Sequence, residues 1–250
     1  MEIDPKKRDD LSRFLIHLTK DEKDGDSTAI DNLINILKQK KIEARKAHCL
    51  FMHIFSQKGF SNKLEKKFNT VCFTEAPLNQ IRILSADFPG RKIKLKPYGL
   101  VFWREDLLKK GASPAIYINA ENGTELRDYL LKEFKKKFPS SLKKLRQIEE
   151  YPNEIIQYFS LINKIGPNYD FSWEREWRFH GDLKFKYRDV VAIIAEDPNP
   201  FEERCKNEFK KSQLNSIQKI PIINPNWNYE EVVEEMSRRI WGKKVITSGT

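Results

Sequence analysis

The sequence predicts an α+β protein with a split β-sheet and a helical insertion. Three observations predict it. Short apolar runs of strand composition recur between residues 14 and 223, and there are more of them than a simple βαβ repeat needs. Their order is one strand, two helices, then several strands, which suits segregated layers better than a doubly wound sheet. One block, 123–163, carries its apolar residues at helical spacing and reads as an insertion.

The elements follow in order. Residues 14–19 read as a buried strand, and the polar stretch 20–26 with Gly25 as a loop. Ser27 or Thr28 can cap a helix whose apolar face is Leu33, Ile34, Ile36 and Leu37, running to about Lys41. A second helix is expected over 45–57, closed by Gly59. Strands follow at 71–74, 98–102 and 115–118, with a helical turn at 79–84 and a short helix at 105–110. In the insertion, Pro139 and Pro152 punctuate the helices. Leu131, Phe134, Phe138, Leu142 and Leu145 recur at spacings of three and four, as an amphipathic helix pair requires. The lysine-rich run 132–146, with Lys135, Lys136 and Lys137, is either a surface for nucleic acid or a solvated face. Further strands are expected at 173–179, 190–194 and 221–223, and helices at 201–211 and 229–241.

Composition sets the class. The chain has 250 residues, 39% of them hydrophobic, enough for one α/β domain over 1–250 with a sizeable core. Charged residues make up 33% but are mixed in sign, which argues against disorder. A net charge of +10 and a pI near 9.3 point to a polyanionic partner such as nucleic acid; the alternative is a lysine-rich proteome. Cys49, Cys72 and Cys205 show no CxxC or Cys/His ligand spacing, so a reducing cytoplasm and no metal are expected. No apolar run approaches the roughly 18 residues of a membrane span, and MEIDPKKRDD lacks the apolar region of a secretion signal. There is no GxGxxG, Walker A loop or HExxH.

Two constellations remain. In an extended 173–178 segment, Glu174, Glu176 and Arg178 share one face, and Trp173, Arg175 and Trp177 share the other. That arrangement suits either a charged edge strand or a cleft with two carboxylates. His17 and Thr19 share a face of the first strand, where both can donate and accept hydrogen bonds. His17 fits a satisfied core histidine as well as a ligand, and Asn32 fits a cap as well as a cleft residue. His48 and His53 lie five apart, which is not a helical neighbour spacing, and His180 follows the charged strand.

In order along the chain stand His17-Leu18-Thr19, Asn32-Leu33, the 71–78 run VCFTEAPL, the 98–102 run YGLVF, the 111–114 run GASP, and residues 173–178. Taken together they resemble the abortive-infection AbiGi-like family of bacterial phage-defence proteins, over most of the chain from residue 14 to about 227. A more distant likeness is to DarT-type DNA ADP-ribosyltransferases. That resemblance implies a split-sheet ADP-ribosyltransferase core with NAD as co-substrate. It implies His17 and Thr19 at the NAD ribose and nicotinamide amide, Asn32 at the helix start, Tyr98 stacked on nicotinamide with Phe73 behind it, and Arg45 on the phosphates. It implies Glu176 as the catalytic glutamate, with Glu174 its helper. Arg178 can neutralise a glutamate or bind a phosphate. The acceptor is then nucleic acid or protein. AbiGi-like proteins act beside a second protein, so the alternative is a non-catalytic, antitoxin-like regulator of a two-component defence system. NAD hydrolysis would use the same site with water as acceptor.

Overall fold

The structure, a computed structural model, describes residues 11–22, 25–46, 48–57, 60–86, 94–121, 124–138, 142–150, 156–166 and 170–241. In chain order its elements are β1 (Phe14–Leu18), α1 (Ala29–Gln39), β2 (Lys41–Ile42), β3 (Arg45–Lys46), α2 (Met52–Gln57), α3 (Asn62–Lys66) and β4 (Asn69–Thr74). Then come α4 (Ile81–Leu84), β5 (Tyr98–Trp103), α5 (Arg104–Lys109), β6 (Ser113–Pro114), β7 (Ile116–Asn119), α6 (Glu125–Lys137), α7 (Leu142–Glu150) and α8 (Ile156–Phe159). The last are β8 (Ile162–Ile165), β9 (Glu176–His180), β10 (Leu183–Lys184), β11 (Val190–Ala195), α9 (Pro198–Glu208), α10 (Lys211–Ile217), β12 (Ile222–Ile223) and α11 (Tyr229–Trp241). The α+β class is thus observed. The chain divides into two compact units: Met1–Lys41, Thr74–Leu107 and Lys184–Thr250 form the first, and Ile42–Phe73 and Leu108–Leu183 the second.

The first unit is a sheet in the order β12-β11-β5-β1. β5 is antiparallel to both neighbours, with Ile16 opposite Val101 and Leu100 opposite Ile193, while β11 and β12 run parallel. Ile16, Leu18, Val101, Ala192, Ile194 and Ile223 share one face and pack on Ile81 and Leu84 of α4 and on Trp227 and Val232. Leu15, Leu100 and Ile193 point to the other face and are equally buried, and α1 packs on β5. Burial on both faces explains why these strands read as continuous apolar runs. Thr28 caps α1, with Asp31 completing a reciprocal capping box. Lys40 ends α1 in the left-handed region at φ 51°, with its N–H on the carbonyls of Ile36 and Leu37. Its ammonium lies 5.4 Å above the Tyr187 ring, whose hydroxyl donates to Leu37 O.

The second unit holds strands in the order β4-β9-β6, with β3 against β4, and a separate parallel pair of β7 and β8. Helices α6, α7 and α8 connect that parallel pair, so the insertion is the crossover of a βαβ unit. Its core is phenylalanine-rich. Phe51 stacks on Phe134 at 4.4 Å, and Phe55, Phe60, Phe68, Phe138 and Phe159 complete the cluster. Leu131, Phe134, Phe138 and Leu145 are buried, as their spacing predicts. The Leu142 side chain, and Gly59, lie outside the described residues.

Three expectations change. The helix over 45–57 is the strand β3 followed by the shorter α2, because Arg45 and Lys46 pair with Thr70 and Asn69. The insertion ends in strand β8 rather than helix, because Ile162 to Ile165 find a partner in β7. The strand over 173–179 is two elements. Asp170 accepts the Ser172 N–H and its carbonyl accepts the Trp173 indole, which draws Ser172–Glu174 into a 3₁₀ turn. Arg175 closes that turn in the left-handed region at φ 49°, and β9 begins only at Glu176. Glu174 is therefore not a strand-mate of Glu176, and the shared face of the two carboxylates is lost.

Candidate functional site

The sequence-predicted site residues fall into two constellations, one in each unit. His17, Thr19, Asn32 and Tyr98 belong to the first unit; Arg45, Glu174, Glu176 and Arg178 belong to the second.

In the first unit, the end of β1 meets the start of α1 and the start of β5. The Thr19 N–H donates to Tyr98 O at 2.8 Å, and the Lys96 N–H to Thr19 O at 2.9 Å. The Thr19 hydroxyl has one proton, shared between the carbonyls of Ala29 (2.8 Å) and Tyr98 (3.0 Å). With the residue 4% exposed, that hydroxyl ties strand, helix and neighbouring strand together. Asn32 is not the cap, which is Thr28. Its amide donates to Lys20 O at 2.8 Å, and its carbonyl oxygen accepts from Ser27 Oγ at 3.3 Å. It thereby pins the loop after β1 to the first turn of α1. Tyr98 is half-buried; burial pushes its phenol up, and the charges of Glu196, Asp197 and Asp21 push the same way. His17 is half-buried opposite Leu100. Its carbonyl lies so close to Gly99 that a Cβ there would sit 2.2 Å from the oxygen. The structure thus brings Thr19, Asn32 and Tyr98 to one strand end from positions 19 to 98.

In the second unit, Glu176 and Arg178 share one face of β9 and form a two-pronged pair. Arg178 Nε donates to Glu176 Oε1 at 2.9 Å and Nη2 to Oε2 at 2.8 Å. Arg178 is 1% exposed. Its remaining nitrogen contacts go to main-chain carbonyls, Nη2 to His48 O at 2.7 Å and Nη1 to Ser160 O. The internal ion pair, one of its two expected roles, occupies Arg178, and its burial leaves little surface for a phosphate.

Glu176 collects more donors. Tyr117 Oη donates to Oε2 at 3.2 Å and Asn163 Nδ2 to the same oxygen at 3.3 Å. Tyr117 and Asn163 are paired residues of β7 and β8, so the parallel register aims both at one atom. The Cys72 thiol bonds to the carboxylate as well. Burial alone would push the Glu176 carboxyl up; the charge and hydrogen bonds of Arg178, with those of Cys72 and Tyr117, outweigh it and hold the carboxyl below its usual range. Burial and the Glu176 charge push the Cys72 thiol up to about 12 and the Tyr117 phenol well above its usual range. Cys72 is therefore a protonated donor and not a thiolate nucleophile. Glu176 keeps 15% of its side-chain surface open, and its ionised carboxylate is held in place by these donors.

Arg45 is exposed on β3, and Glu174 lies in the 3₁₀ turn before β9. Phe73 is 3% exposed and belongs to the core. Tyr117, Asn163 and Cys72 were not expected from the sequence as site residues. The 115–118 run placed Tyr117 on a strand but not opposite Asn163, whose strand was not foreseen. Among the described residues, no group of three metal-ligating side chains gathers, and no helix is long and apolar enough to cross a membrane. Comparison with family models, curated proteins and solved structures finds no match for this chain.

Proposed function

We propose that this chain is an ADP-ribosyltransferase of the phage-defence or toxin type, which uses NAD to modify a nucleic acid or protein acceptor. The observation that carries the proposal is Glu176: a carboxylate kept ionised on a strand by Arg178 and fixed by Tyr117 and Asn163, on a side chain with 15% of its surface open. Cleavage of the bond from ribose to nicotinamide develops positive charge on the sugar, as in glycoside hydrolysis. A preorganised negative charge stabilises that transition state, because its orientation costs nothing at the moment of reaction. NAD supplies the ADP-ribosyl group and nicotinamide leaves as a neutral base.

The test is transfer of label from NAD to cell extract, with wild type and Glu176→Gln compared after their melting curves. Wild type should transfer label, and the folded variant should lose about 10²–10³-fold in rate. Equal rates would refute the assignment of Glu176.

The number of donors on Glu176 favours a second reading, a non-catalytic regulator in which Glu176 and Arg178 are a structural pair. On that reading wild type transfers no label, and Glu176→Gln leaves protection against phage intact wherever it still folds.

A further inference from the structure

Within the second unit, the helical insertion enters and leaves beside the Glu176–Arg178 pair. β6 and β7 lead into it, and β8 leads out. On the way in, the Ala115 N–H donates to the Glu176 carbonyl at 2.8 Å, and two residues later the Tyr117 hydroxyl donates to the Glu176 carboxylate at 3.2 Å. On the way out, the Ser160 carbonyl accepts from Arg178 Nη1, and three residues later the Asn163 amide donates to the same carboxylate at 3.3 Å. Each stem of the insertion thus reaches the pair with one main-chain group and one side chain.

The register of β7 and β8 aims those side chains. Ile118 and Ile162 pack on the phenylalanine core, so the alternate residues Tyr117 and Asn163 face the other way. A slip of one residue in β7 would turn an isoleucine to the carboxylate and the tyrosine to the core. The Asn163 amide is itself fixed: its Oδ1 accepts the Lys164 N–H at 2.9 Å, which leaves Nδ2 for Glu176. Burial and the Glu176 charge keep the Tyr117 phenol protonated, so it stays a donor. The two-pronged ion pair lies within β9 and fixes Glu176 and Arg178 to each other. Donors from two other strands fix Glu176 to the rest of the unit.

We propose that Tyr117 and Asn163 are positioning residues for the transferase reaction: the two stems of the insertion clasp Glu176 and set where its carboxylate stands. Stabilisation of a developing charge depends on an orientation fixed before the reaction, so a carboxylate that drifts loses rate rather than substrate affinity. Only the reaction rests on the transferase reading. The clasp is measured without NAD, so a catalytically silent protein can still show it, and an active one can still lack it.

The experiment follows the Glu176 carboxyl by carbon-13 NMR in full-length protein labelled at the glutamate carboxyl carbon, with Glu176→Gln identifying its signal. Tyr117→Phe and Asn163→Ala should each move its titration midpoint to higher pH, because a donor to the ionised form is lost. Tyr129→Phe, an exposed tyrosine of α6, should leave the midpoint in place. In label transfer from NAD, Tyr117→Phe and Asn163→Ala should each lower kcat about tenfold with KM nearly unchanged. The acid limb of their pH profiles should follow the NMR midpoint. Residues that only stabilised the fold would lower the melting temperature and leave both the midpoint and the acid limb where they are. The proposal is overturned if neither variant moves the midpoint, or if both keep the wild-type kcat while Glu176→Gln loses activity. Absence of label transfer by wild type would overturn the transferase reading and the catalytic role with it; the midpoint would then decide the clasp alone.

Discussion

At the scale of single residues, Arg178 is tightly held among the described residues. Its guanidinium lies 1% exposed between the Glu176 carboxylate and the carbonyls of His48 and Ser160. Removing one partner of a buried ion pair leaves the other charge uncompensated, at a cost of about 3–5 kcal/mol. Arg178→Ala should lower stability by that amount in urea titration, with the m-value unchanged; a loss below about 1 kcal/mol would show that water reaches Glu176 freely. The pair was legible in the sequence as one of two roles for Arg178, because residues two apart share a strand face. Tyr117, Asn163 and Cys72 were not legible. They reach Glu176 from positions 72, 117 and 163 through strand pairing, and no local pattern encodes that convergence.

At the scale of elements, the approach of β1 to β5 is governed by Gly99. A methyl group there would meet the backbone oxygen of His17, which cannot swing away as a side-chain end could. Gly99→Ala should therefore cost about 1–3 kcal/mol or more through forced separation of the two strands. Hydrogen exchange should show loss of protection at the β1 and β5 amides, and a variant as protected as wild type would contradict this close packing. The strand β9 teaches a different lesson. Bulky aromatics favour extended backbone, so 173–179 read as one strand. Asp170 and the left-handed Arg175 override that propensity for the first three residues. The first helix shows the opposite case: its cap was readable as Ser27 or Thr28, and the structure selects Thr28, with Asp31 completing a capping box.

At the scale of the whole molecule, several carboxylates are held below their usual range. Thr28 and then Arg204 hydrogen-bond Asp31 and hold it at about 2, while Lys38 and then Arg204 hold Glu208 down. Glu176 is depressed against its burial by Arg178. A carboxyl with a depressed folded-state pKa stabilises the fold above its unfolded pKa and loses that contribution as pH falls through the folded value. The melting temperature should therefore fall between about pH 4 and pH 2, where these carboxylates protonate. A melting temperature that rises on acidification through that window would contradict the sign of these shifts. The sequence by itself determined the α+β class, the strands of the first unit, the start of α1 at Ser27 or Thr28, the amphipathic α6 and the basic surplus. Each rests on composition or on the periodicity of residues close in the chain, where 3.6-residue and two-residue repeats are read directly. Only the tertiary structure decided the division into two units, the pairing of β7 with β8 around the insertion, and the donors on Glu176. Those depend on which distant segments pair and in what register, and pairing is set by the burial of whole faces at once rather than by any short stretch of chain.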